Sequence, residues 1–368
     1  NLLSGYYDEG VRVLRIPVHW FNLMDEDYNL SKEYMEEVKR AVDDALDIGL
    51  YVILNIHHDE RGLFSGFAKD KKTSMIRYLK IWKQIAETFK NYDDYLMFEA
   101  LNEEACWGDL YNRYGRGEEK LEGQKIALSL VSEINQQFVR LIRNSGGNNN
   151  KRHLLISGYC TDIKESVSPL FRLPYDPVNR YAVSLHYYTP STFTILTEDA
   201  DWGKVRINWG SKEDLRELED NFDLVKEAFI DKGIPVIIGE YGCAAKGKDK
   251  DSVYDYIYNV AKNAYDRHMV PVLWDGPGGL YNRTSNEFDD IIICFHDRLQ
   301  NLFVRNYIKS QTIQIIKLDY SPFSLCISEN GHLIAIGTKE GLIIFIPFGE
   351  DKFYNKKQEA LVYEGHFN

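Results

Sequence analysis

Short apolar runs bounded by polar turns alternate along the chain with longer stretches in which apolar residues recur every three or four positions. Seven of the short runs read as strands, at 11–17, 51–56, 95–99, 153–157, 181–185, 235–239 and 270–273. Between the first two, Met35, Val38, Ala41, Val42, Ala45 and Leu46 fall at helical spacing, and Gly49 stands where a C-terminal cap is expected. That segment predicts a crossover helix. A second helix spans about 73–90, with Ile76, Leu79, Ile81, Trp82, Ile85 and Phe89 on one apolar face, which assigns Trp82 to the core. Repeated strand–helix units imply a parallel sheet with helices outside it. The Gly-Gly-Asn-Asn-Asn run at 146–150 reads as a surface loop, and 189–216, with Trp202 and Trp209, as a long loop at one rim. After about residue 300 the pattern changes to strand-like runs without crossover helices, at 312–318, 324–328, 333–337 and 342–346.

Composition narrows the range of partners. With 44 Lys and Arg against 56 Asp and Glu, the net charge is -12, which argues against nucleic acid or another polyanion. Aromatic residues reach 13%, with 25 Tyr and 6 Trp, enough to line a cleft that stacks on flat ligand faces such as sugar rings. The cysteines, Cys106, Cys160, Cys243, Cys294 and Cys326, are odd in number and lack metal-type spacing, so they read as free thiols. No charged start followed by an apolar run opens the chain, and no stretch of 18 apolar residues follows, so no membrane partner is expected.

The chemistry lies at the strand ends. Tyr95-Leu-Met-Phe-Glu-Ala-Leu-Asn-Glu103 and Pro235-Val-Ile-Ile-Gly-Glu240 each finish in a carboxylate. Parallel barrel strands bring their carboxyl ends to one rim, so residues remote in sequence can meet there. Other strand ends carry polar motifs in order: Arg15-Ile-Pro17, Asn55-Ile-His57-His58, His186-Tyr-Tyr188 and Trp274-Asp275. Together these motifs resemble glycoside hydrolase family 5, over about residues 5–295. Details such as Asn102-Glu-Glu-Ala-Cys-Trp107 and the segment from His186 to Trp209 resemble its endoglucanases, lichenases and xyloglucanases.

The resemblance implies an α/β fold, a (β/α)8 TIM barrel followed by a short β-rich tail, and retaining hydrolysis of a β-1,4-linked glucan. It implies Glu103 as general acid/base and Glu240 as nucleophile, with Asn102 on the sugar 2-hydroxyl and Arg15 and Tyr188 on Glu240. His57, His58 and His186 would contact sugar hydroxyls or fix the carboxylates, Trp274 would form a platform, and Trp20, Trp107, Trp202 and Trp209 are candidates for outer subsites. A β-mannanase of the same barrel class is the alternative, and a non-catalytic carbohydrate-binding or interaction protein the rival class. The implied partner is a β-linked polysaccharide, met outside the cell by a monomer without a cofactor.

Blander readings compete at several positions. Glu99 and Glu104 are rival carboxylates, which alternation along the strand is expected to turn differently from Glu103. His57-His58-Asp59-Glu60 could suggest a metal site, but adjacent strand residues point to opposite faces, so no metal is expected. Trp202 and Trp209 serve equally well as anchors of a long loop. The opening strand of such a barrel, with its Gly-Ile-Asn-like motif, has no counterpart ahead of Arg15, so the strands ending at Pro17 and Leu273 are expected to have unpaired edges, as in a fragment of a longer reading frame. The reading thus places a barrel at 1–300 and a tail at 301–368, where Ser328-Glu-Asn-Gly331, the turn at 337–341 and Gly365-His366 resemble one WD-repeat blade.

Overall fold

The computed structural model describes residues 2–8, 10–57, 66–103, 110–113, 116–275 and 280–284, and, as backbone alone, residue 22 and eight short strands between 287 and 364. The chain divides into two compact units, Asn1–Gly279 and Leu280–Asn368.

In the first unit, helix α1 (Leu2–Asp8) leads into β1 (Val13–Ile16), α2 (Lys32–Asp47), β2 (Tyr51–Asn55), α3 (Lys71–Phe89), β3 (Leu96–Glu99), α4 (Gly117–Arg143) and β4 (Leu154–Ile156). There follow α5 (Ile163–Ser166), β5 (Tyr181–Tyr187), α6 (Ser191–Thr194), α7 (Lys212–Ala228), β6 (Val236–Tyr241), α8 (Lys250–Asp266) and β7 (Val270–Leu273). The seven strands form one parallel sheet in sequence order from β1 to β7. Strictly sequential order makes the sheet curl in one direction, into a near-closed barrel with the helices outside. Among the described residues β1 and β7 do not pair. Their interiors nevertheless meet: Val13, Ile53, Met97, Leu155, Ala182, Ile237 and Val272, one residue from each strand, pack into a single cluster.

The crossover helices start at side-chain caps that satisfy free backbone N–H groups. Ser31 caps α2, Asp70 caps α3, Asp249 caps α8, and Ser211 with Asp214 makes a reciprocal capping box on α7. In α2 the buried face is Met35, Val38, Val42 and Ala45, as its spacing predicts. In α3 the face is rotated from the expected one: Ile76 is exposed, and Tyr78, Ile81, Trp82, Ile85, Ala86 and Phe89 are buried. Tyr78 belongs there because its hydroxyl finds a partner, Ala100 O, at 2.9 Å. Trp82 is fully buried, edge-on to Phe138.

Near the amino ends of β3 and β4, between the sheet and α3, one arginine ties the loop after α3 in place. Arg152, just ahead of β4, has no exposed surface. Its Nε donates to Asn149 Oδ1 (2.8 Å), Nη1 to Asp93 O (3.0 Å) and Leu96 O (2.7 Å), and Nη2 to Phe89 O (2.8 Å) and Tyr92 O (2.9 Å). All five N–H groups are used, and the guanidinium lies over the Phe98 ring, 4.8 Å from its centroid. The 146–150 run is accordingly no plain surface loop: Gly147–Asn150 is a 3-10 turn whose buried Asn149 binds Arg152 and donates to Ala86 O.

In the second unit, β8 (Tyr281–Asn282) pairs with β9 (Glu287–Phe288). Strands β10 (Ile292–His296), β11 (Asn301–Asn306) and β12 (Gln311–Lys317) form an antiparallel sheet. Strands β13 (Pro322–Ile327), β14 (Leu333–Thr338), β15 (Leu342–Pro347) and β16 (Leu361–Glu364) form a second antiparallel sheet, four strands in sequence order.

Candidate active site

Above the apolar cluster, the inward positions turn polar. Alternation from Val13, Ile53, Met97 and Ala182 brings Arg15, Asn55, Glu99 and Ser184 into the next layer. Strand β6 departs from strict alternation. Its pairing with β5 shifts between Leu185 and His186, so that Glu240 stands opposite His186 although Ile238 stands opposite Leu185. The extra residue is Gly239, and it turns Glu240 inward where alternation from Ile237 would turn it out. Glycine fits this position because a Cβ there would come within 2.7 Å of Ser184 Oγ and 3.5 Å of Glu99 Oε1.

Arg15 organises the layer. Its Nε donates to Glu99 Oε2 (2.6 Å), its Nη1 to Glu240 Oε1 (2.7 Å) and its Nη2 to Asn102 Oδ1 (2.8 Å). Burial opposes the guanidinium charge, but Glu99 and Glu240 outweigh it and push the Arg15 pKa above its ordinary value. Tyr188 donates its hydroxyl to the other oxygen of Glu240 at 3.0 Å. Burial and the adjacent Glu240 charge hold that phenol protonated far above the usual tyrosine range. Glu240 thus accepts from a cation and a phenol while almost wholly buried.

Glu103 lies four residues beyond the end of β3, in the loop, and its side chain is 36% exposed. His186 Nδ1 is 2.7 Å from its Oε1 and 3.5 Å from Glu240 Oε2; with carboxylates as neighbours, Nδ1 is the protonated nitrogen. Oxygens of Glu103 and Glu240 and a nitrogen of His186 all lie within 4.8 Å of one another. Partial burial pushes the Glu103 carboxyl up, but the His186 hydrogen bond and the charges of His186, Arg15 and Arg113 pull it down further, leaving it below the ordinary carboxylate range. The same three groups could chelate a cation, yet Glu240 already accepts from Arg15 and Tyr188, and His186 already bonds Glu103.

Trp274 and His57 complete one wall. Their rings are parallel, 3° apart in plane and 5.6 Å between centroids, and Trp274 is 41% exposed. The tryptophan is fixed by a hydrogen bond from its backbone N–H to Tyr241 O (2.8 Å). Trp202 presents 60% of its surface to solvent. Two of the expected outer-subsite tryptophans are packed away: Trp20 is fully buried with its indole N–H on Asn55 O, and Trp209 is buried edge-on against Tyr256 of α8. Neither offers a face to a ligand, because their size suits them to anchor loops against the barrel. His58, Trp107 and Glu104 lie outside the described residues.

Glu99 is the residue that sequence reasoning misplaces. Alternation is expected to turn it away from Glu103, but the two are four residues apart, an even separation that alternation places on one face, and the strand in any case ends at Glu99. Glu99 points inward with no exposed surface and accepts from Arg15, Asn55 (3.0 Å) and Ser184 (2.5 Å). The signal was available in Met97, two residues earlier, whose inward place Glu99 must share.

A parallel β/α barrel with two carboxylates facing each other at the carboxyl rim of its strands defines a class, the barrel glycoside hydrolases. Within that class the chain belongs to the family described as Cellulase (glycosyl hydrolase family 5), which it matches over residues 1–276. It is 36% identical to Endoglucanase 1 of Ruminococcus albus, over 78% of this chain and 69% of the relative. Among solved structures, a broad-specificity endoglucanase of the same family from an uncultured bovine rumen ciliate matches with 32% identity and a TM-score of 0.68, over 78% of this chain and 82% of that one. A lichenase from Caldicellulosiruptor sp. F32, solved in complex with cellotetraose, matches with 29% identity and a TM-score of 0.71, over 78% and 80%.

Proposed function

We propose that this glycoside hydrolase is an endo-β-1,4-glucanase that cleaves cellulose-type, mixed-linkage or xyloglucan chains with retention of anomeric configuration. The observation that carries the reading is the approach of Glu103 and Glu240 oxygens within 4.8 Å. Retaining enzymes hold their carboxyl groups about 5 to 5.5 Å apart, whereas inverting ones leave about 6.5 to 9.5 Å for a water. In the first step Glu240 attacks the anomeric carbon as Glu103 gives its proton to the departing glycosidic oxygen. In the second, water attacks the same carbon, Glu103 takes its proton and the Glu240 carboxylate departs. The surroundings suit these roles: Arg15 and Tyr188 each donate to an oxygen of Glu240 and hold it in place, and Glu103 is the more exposed and reaches an incoming sugar. A sugar covering its exposed surface strengthens burial, the influence that raises its affinity for the proton. Asn102, held by Arg15, is placed for the 2-hydroxyl, and Trp274 for stacking beneath the sugar next to the cleaved bond.

Support for a glucan comes from the relatives, which include an endoglucanase and a lichenase crystallised with cellotetraose. Polymers of this kind are met outside the cell, where we place the activity, and one chain suffices because all the site residues named come from it. The test is a reducing-sugar assay on carboxymethylcellulose, barley β-glucan, xyloglucan and mannan, with proton NMR of the first product formed. Glucans should be cleaved to the β-anomer; preference for mannan would overturn the substrate assignment, and an initial α-anomer would overturn retention. Azide assigns the roles: Glu103→Ala with an activated aryl cellobioside should yield the β-azide, and Glu240→Ala should not. The converse would exchange the two residues.

A further inference from the structure

Three carboxylates surround Arg15's end of the site, and one of them has no access to a sugar. Glu99 is completely buried, and its oxygens are taken by Arg15 Nε (2.6 Å), Asn55 Nδ2 (3.0 Å) and Ser184 Oγ (2.5 Å). Arg15 in turn spends each nitrogen on a different partner, Glu99, Glu240 and Asn102. One cation therefore sits between two carboxylates, and only Glu240 loses its charge during the reaction.

The geometry points to Glu99 as a positioning residue that sets how much of Arg15's charge Glu240 feels, and with it the balance between the two steps of catalysis. This rests on the double-displacement reading above. While Glu240 is a free carboxylate, Glu99 shares Arg15 with it, so the nucleophile is not over-stabilised in the ground state. Once Glu240 is esterified, Glu99 remains as the counter-charge of a neutral pair, so Arg15 draws the departing carboxylate back less strongly than an unshared cation would. Removing the Glu99 charge should therefore slow attack by Glu240 and leave its departure unchanged or faster. A loosened site would slow both.

The probe is 2,4-dinitrophenyl 2-deoxy-2-fluoro-β-cellobioside, which reports both steps on the whole chain. In labelling, the Glu240 oxygen bonds to the anomeric carbon and dinitrophenolate leaves with the bonding pair, needing no proton. In reactivation, water adds to that carbon, Glu103 accepts its proton and Glu240 leaves as carboxylate. Glu99→Gln keeps the shape and should cut the labelling rate by about ten- to hundredfold, the range for a lost charge-assisted hydrogen bond, with reactivation no slower than wild type. Equal slowing of both rates, or no change in either, would overturn the assignment. Ser184→Ala keeps the Glu99 charge and removes one of its other donors, directing more of that charge onto Arg15. The ratio of labelling to reactivation should then rise about two- to threefold, a modest fraction of one hydrogen bond. A falling or constant ratio would count against the proposal even if Glu99→Gln did not fold. Failure of the wild-type chain to gain the label at all would instead refute the double displacement itself.

Discussion

Replacing Arg152 by methionine should destabilise the barrel without touching its chemistry. Methionine keeps an apolar stem of similar length and a sulfur that can face the Phe98 ring, while removing every donor. Five acceptors then lose their partner. Asp93 O and Tyr92 O sit in partly buried bonds and can turn to water, whereas Asn149 Oδ1, Leu96 O and Phe89 O are in buried ones. Of these, Phe89 O keeps the Tyr92 N–H (3.1 Å), and two unsatisfied buried acceptors at about 1 to 3 kcal/mol each cost about 2 to 6 kcal/mol. Against this, a buried cation without a carboxylate partner is itself expensive, as the Arg152 pKa shows: burial drives it down to about 10. Returning about 1 to 2 kcal/mol for that desolvation leaves a net loss of about 1 to 4 kcal/mol, from a total that is typically about 5 to 15 kcal/mol. Urea unfolding followed by tryptophan fluorescence measures it cleanly, since all 6 tryptophans belong to the barrel unit. With a slope of about 3 kcal/mol per molar, the midpoint should fall by roughly 0.3 to 1.3 M. At 25 °C kcat/KM should stay within about twofold, because the guanidinium is at the end of the strands remote from Glu103 and Glu240. An unmoved midpoint, or lost activity with an unmoved midpoint, would refute the reasoning.

Two further outcomes follow from hydrogen bonds in the same unit. Tyr188→Phe removes one donor from Glu240, at 3.0 Å, and should lower kcat/KM by about ten- to hundredfold, the worth of a strong hydrogen bond to a carboxyl group; steady-state kinetics showing a loss below about threefold would contradict the role given to that phenol. Asp176 is buried and held by a two-pronged pair with Arg143, both bonds 2.8 Å; burial pushes its carboxyl up, but Arg143 and the backbone N–H groups of Arg180 and Val178 bring it below the ordinary range. A depressed carboxyl stabilises the fold above the unfolded-state pKa, near pH 4, and loses that contribution as pH falls through the folded value. Thermal melts of wild type and Asp176→Asn should therefore differ clearly at pH 7 and converge toward pH 3; curves that stay parallel would exclude the pair as a source of acid sensitivity.

Much of the barrel is legible because its signals are local. Apolar runs with turn residues on either side mark all seven strands, and Ser31 and Asp70 announce helices by chemistry that acts over three residues. The residues at strand ends are legible for the same reason, since a parallel sheet fixes which end of each strand shares a rim. What escapes is set by events between strands. The bulge at Gly239 depends on register with β5, so nothing within 235–240 reveals that Glu240 turns inward. Glu99 is misjudged for a local reason, since alternation over an even separation of four residues cannot set it apart from Glu103. Trp209 and Trp20 resemble ligand platforms in composition, yet Tyr256 and the Asn55 carbonyl claim them. Arg152 carries no sequence signal, because its five acceptors are main-chain oxygens and one asparagine brought together only where α3, β3 and the 147–150 turn meet.

The apolar ring formed by Val13, Ile53, Met97, Leu155, Ala182, Ile237 and Val272 also acts as an insulator. Hydrocarbon conducts no protons, so the charged layer above it is shielded from beneath and meets water at its mouth. Under the double displacement proposed above, proton traffic would be one-sided: each proton given up by Glu103 to a departing sugar would be replaced from the water that later splits the glycosyl-enzyme, entering by the opening the sugar has just left. The rhythm of proton supply is thereby tied to the coming and going of the polymer chain.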